Sequence, residues 1–62
     1  MNSIKVTKIE VDAELGSDLR KCLIDCIELS MTEQVDIQLL YNNRTYKTDF
    51  NELIEIVEKT AN

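Results

Sequence analysis

The side chains with the most chemistry to offer in this chain are two thiols, Cys22 and Cys26, one helical turn apart. Paired thiolates at that spacing could supply two metal ligands, or one of them a catalytic nucleophile. A structural zinc site needs four ligands, usually with a short CxxC knuckle, and the sequence holds no further cysteine and no histidine to complete one. On a helix the two sulfurs stand side by side rather than facing each other, so both are expected to be reduced. A nucleophilic thiol wants a nearby base or a helix N-terminus to lower its pKa. Placed mid-helix on an apolar face, Cys22 and Cys26 read instead as small core residues. The lack of histidine also removes the commonest general base. No catalytic, cofactor or metal site is therefore expected, and the chain reads as a non-enzyme.

Carboxylates are the next candidates, with 12 Asp and Glu against 7 Lys and Arg and a net charge of -5. A general acid-base pair requires two of them in a cleft with separated pKa values. Asp12, Glu14 and Asp18 flank the single glycine, Gly16, but their spacing does not match a calcium loop and suits a polar loop leading into a helix. The acidic balance disfavours nonspecific attraction to nucleic acid or anionic membrane and favours basic partners. A nucleic-acid interface would draw on Lys5, Lys8, Arg44 and Lys47 with the rings of Tyr41 and Tyr46. The strand pattern turns both rings inward, which leaves a nucleic-acid-binding module as a distant alternative.

The elements that position these groups are clearest between Val35 and Ala61. Val35, Ile37, Leu39 and Tyr41 alternate with Asp36, Gln38, Leu40 and Asn42, the period-two signature of a strand with one buried face. Asn42-Asn43 is the favoured corner of a two-residue primed turn because Asn tolerates positive φ, with Asn43-Arg44 second; either corner turns Tyr46 inward. Asp49 and Glu52 form a capping box that opens a helix. On that helix Phe50, Leu53, Ile54, Val57 and Ala61 share one face, with Ile56 on its flank. The opposite side carries Asn51, Lys59 and an acidic ridge of Glu52, Glu55 and Glu58.

Upstream, Ile4 and Val6 fall out of phase with Ile9 and Val11, and a bulge near Thr7-Lys8 in one strand restores the period; a twisted strand serving two faces is the alternative. Ser17 is read as the N-cap of a helix ending near Thr32 or Glu33, with Asp12 a competing start. Leu19, Cys22, Leu23, Cys26, Ile27 and Leu29 form its core face. The result is one small α+β domain over residues 1–62, a two-layer sandwich in β-α-β-β-α order with a three-stranded mixed sheet and two helices on one face. Pairing of the first strand with either hairpin strand satisfies the pattern. A chain of this length buries only about 60% of its unfolded surface, so its stability is expected to be marginal. No segment has the length of a spanning helix or the apolar core of a signal peptide, and a cytoplasmic location is expected.

Several apolar residues do not fit this core. Ile24 and Met31 lie together beyond the helix core face, Leu40 points out of the sheet, and Ile56 flanks the last helix. Converging, they would make a partner surface. The element order resembles that of the DNA-damage-inducible inhibitor family that binds recombinase filaments, whose last helix is also acidic; the resemblance is in element order, and no residue role is carried over. Brevity and richness in Asn, Ile, Lys and Glu are similar to accessory proteins of phages and mobile elements. The expectation is a small acidic intracellular protein-binding module that regulates or inhibits a larger partner with a basic surface. Its contact residues would be Glu52, Glu55, Glu58, Ile56, Ile24, Met31 and Leu40. A homo-oligomeric structural subunit, at its simplest a homodimer, is the competing expectation.

Overall fold

The chain changes direction where its residues accept positive φ. A computed structural model describes residues 3–60, and within them Gly16, Gln34, Asn42 and Asn43 have φ of 81, 59, 53 and 64°. These corners separate β1 (Lys8–Asp12), α1 (Leu19–Glu33), β2 (Asp36–Tyr41) and β3 (Arg44–Thr48); α2 (Phe50–Thr60) follows directly. The protein is α+β, and its mixed sheet has the order β1-β2-β3.

β2 is the central strand. It runs parallel to β1, with Ile9 opposite Ile37 and Val11 opposite Leu39, and antiparallel to β3, with Leu39 opposite Tyr46. The hairpin turns at Asn42-Asn43, both in the left-handed conformation that a type I′ corner requires. Strand β1 starts only at Lys8, and among the described residues ahead of it there is no strand to carry the expected bulge near Thr7-Lys8. Ile4 and Val6 are exposed, for a backbone reason: β2 starts at Asp36, so residues ahead of Lys8 have no strand beside them.

Helix α1 is capped by Asp18 rather than Ser17, through a carboxylate that accepts from the Lys21 amide at 3.4 Å. It ends at Glu33 and closes on Gln34, whose amide donates to the Ser30 carbonyl. The fully buried Ser30 hydroxyl donates to the Val35 carbonyl at 2.7 Å, satisfying two polar groups as the chain leaves the helix for the sheet. Cys26 of α1 meets Ile37 and Leu39 of β2, and the three form the buried core. Ile9, Val11, Leu19, Cys22, Leu23 and Leu29 pack against it from the sides.

Helix α1 lies chiefly over β2, with lesser contact to β3, while α2 rests on α1 and has no comparable contact with the strands. That arrangement leaves α2 without a buried residue despite its amphipathic sequence. The molecule is accordingly flat, 37 × 36 × 15 Å, with a radius of gyration of 13.1 Å. A close-packed chain of this length would give about 10.6 Å.

Candidate protein-binding surface

Two carboxylates hold the start of α2. Asp49 accepts from the Glu52 amide at 3.2 Å, the cap expected from the sequence, and Asp36 accepts from the Phe50 amide at 3.0 Å across 14 positions of chain. Lys47 stands 3.7 Å from the second oxygen of Asp36. The first turn of a helix leaves its amides unsatisfied and carries the positive end of the dipole, so both carboxylates are well placed. Asp36 thus does more than line an open sheet face: it ties α2 to the central strand.

Beyond that anchor α2 is covered only in part, along its contact with α1. Phe50, Leu53 and Ile54 are half-buried, whereas Ile56 is 60% exposed and Val57, expected in the core, is 50% exposed. Glu52, Glu55 and Glu58 are exposed on the same helix. Ala61 lies outside the described residues. On α1, Ile24 is 48% exposed, and Ile27 is displaced from its expected core position to 42% exposure. The reason is the seating of α1, whose buried arc centres on Cys26 and Ser30 and leaves Ile27 about 80° from that centre. Met31 is half-buried, so the apolar flank of α1 is carried by Ile24 and Ile27. Because α1 and α2 touch, this flank and the face of α2 belong to neighbouring elements. Leu40 does not join them; paired with Thr45, it points to the outer face of the sheet.

The other chemical candidates are absorbed by structure. Tyr41 and Tyr46 pack against the core, and the Tyr41 hydroxyl donates to the Ser17 carbonyl at 2.9 Å. Cys26 is buried, and its thiol pKa is raised by that burial first, then by neighbouring Cys22 and Asp25. Among the described residues no group of three or more Cys, Asp or Glu is arranged to hold a metal ion. No helix among them is long and apolar enough to cross a membrane.

One feature had no sequence signal. A groove of about 370 Å³ opens between α1 and the C-terminal end of β1, with Val11, Cys22, Cys26, Leu29 and Leu39 at its floor and Asp12, Glu14 and Asp25 in its lining. Comparison with family models, curated proteins and solved structures gives no match to this chain.

Proposed function

We propose that this protein is a non-enzymatic, cytoplasmic binding module that occupies a basic surface of a larger protein and so regulates or inhibits it, with α2 as its principal contact element. The observation that carries this reading is an amphipathic helix, held at its N-terminus by two carboxylates, whose apolar residues Ile56 and Val57 stay exposed beside an acidic ridge. Covering the exposed parts of Ile24, Ile27, Ile56 and Val57 would contribute roughly 1 kcal/mol each. The ridge of Glu52, Glu55 and Glu58 would guide the encounter with a basic partner and set its orientation.

The test is affinity capture from a lysate of the host cell on the immobilised protein, read by mass spectrometry. It uses the wild type, a Glu52→Gln/Glu55→Gln/Glu58→Gln variant and an Ile56→Ser/Val57→Ser variant. A species retained by the wild type, released by high salt and lost from both variants supports the reading. Equal retention by all three proteins overturns it.

The exposure of Ile24 and Ile27 on α1 supports a second reading, self-association into a structural oligomer. Solution mass measured over a dilution series separates the two. The binding-module reading expects a monomer at all concentrations. A dimer that an Ile24→Glu/Ile27→Glu variant converts into a folded monomer would put the structural reading first.

A further inference from the structure

We infer that the groove beside β1 is a second docking site, and that its occupant is a basic amphipathic helix supplied by the partner. This rests on the binding-module reading but concerns a different surface. In a two-layer arrangement, parallel strands are normally covered on the face that carries their apolar residues. Here α1 lies over β2 and reaches toward β3, so Ile9 and Val11 of β1 face the helical layer yet stay only half-buried. The space beside α1 is where a further helix would pack, at the usual separation of about 8–10 Å between helix axes.

The chemistry of the lining selects the occupant. The floor is apolar and includes the half-buried thiol of Cys22, while Asp12, Glu14 and Asp25 are exposed along the groove and no Lys or Arg lines it. A second cleft continues from Asp12 and Glu14 past the fully exposed Leu15 to Leu40 and the hairpin corner, so these two carboxylates border both cavities. An apolar stripe bordered by Lys or Arg matches this surface in both polarity and charge. Helix α2 of a second copy has the apolar stripe but the wrong border, since Glu52, Glu55 and Glu58 would face acidic residues.

The probe is a fluorescein-labelled synthetic helix of about 15 residues, four turns, with Leu on one face and Lys on both borders. Its control carries Glu in place of every Lys, and binding is followed by anisotropy against the full chain. The Lys peptide is expected to bind in a salt-sensitive manner and to slow alkylation of Cys22, whereas the Glu peptide does neither. Neutralising the rim with Asp12→Asn/Glu14→Gln/Asp25→Asn is expected to weaken binding about tenfold. The α2 variant Glu52→Gln/Glu55→Gln/Glu58→Gln should leave it nearly unchanged. Absent binding, equal binding of the two peptides, or an unchanged rate at Cys22 would each overturn the groove assignment. Loss of binding only in the α2 variant would also overturn it, while placing basic partners on α2 as the functional reading holds.

Discussion

Replacing Asp36 by alanine should loosen α2 more than any other single exposed-side substitution, because one carboxylate serves two elements. Its Oδ1 accepts from the Phe50 amide at 3.0 Å and its Oδ2 lies 3.7 Å from the Lys47 ammonium, with the Asp36 side chain 28% exposed and that of Lys47 61% exposed. A hydrogen bond to a charged acceptor contributes about 1.5–3 kcal/mol when buried, which partial exposure reduces here to about 1–1.5 kcal/mol. The ion pair, largely in water, adds only a few tenths of a kcal/mol. The sum, about 1.5 kcal/mol, corresponds to a fall in Tm of roughly 6–12 °C for a domain of this size. Asp36→Asn keeps an acceptor for the Phe50 amide but loses the charge that strengthens the bond and pairs with Lys47, so its Tm should fall by about half as much, roughly 3–6 °C. Thermal melts by circular dichroism give both values, and amide hydrogen exchange should show the loss of protection concentrated in α2. Equal destabilisation by Asn and Ala would refute the assignment to the hydrogen bond. An unchanged exchange rate in α2 would refute the anchoring role altogether.

Other positions give separable expectations. Gln34 sits at φ 59° at the end of α1, so Gln34→Gly should raise stability by about 0.5–1 kcal/mol in urea titrations, and a loss would show that the Gln side chain makes up for its backbone cost. Tyr41→Phe removes the donor to the Ser17 carbonyl; a cost of about 1 kcal/mol with faster exchange around Ser17 is expected, and a neutral result would mean water replaces the phenol without penalty. Burial beside Cys22 and Asp25 raises the Cys26 pKa, so the folded protein keeps this thiol neutral where the unfolded chain ionises it. Its contribution is whole below the ordinary thiol value of 9.0 and is lost as pH climbs through the raised one. The urea midpoint should therefore drop more steeply in that alkaline window for the wild type than for Cys26→Ala, and parallel curves would contradict the shift.

The hairpin and its corner were legible from the sequence because their signals are local. Asn42-Asn43 needs only its own backbone to form a primed turn, and Asp49 needs only the amide of Glu52. The alternation of Ile37 and Leu39 likewise placed both in the buried core. What escaped depends on how elements sit on one another. Periodicity assigned Asp36 to a face of the sheet but carried no information about an amide 14 positions away. A helical wheel showed that Ile27 and Val57 lie on apolar arcs, whereas their cover depends on which arc of α1 meets the sheet and on α2 leaning on a helix instead of strands. The β-branched residues Ile4 and Val6 promised strand, yet a strand exists only beside a partner, and the turn at Gln34 sets where that partner begins. Of the surface, the exposure of Ile24, Ile56 and Leu40 was foreseen; the groove was not, because it arises from the lateral position of α1 over the sheet.

The place of β2 between a near neighbour and a distant one also orders the steps by which the molecule assembles. Its pairing with β3 closes through a two-residue corner, a fast and entropically cheap event, whereas its pairing with β1 must wait until α1 and both flanking loops have been brought round. The hairpin is therefore the natural starting point and the parallel seam the final closure. A segment bound across β1 and α1 would hold that last-formed seam shut by mass action, making the lifetime of the folded state depend on the concentration of its partner.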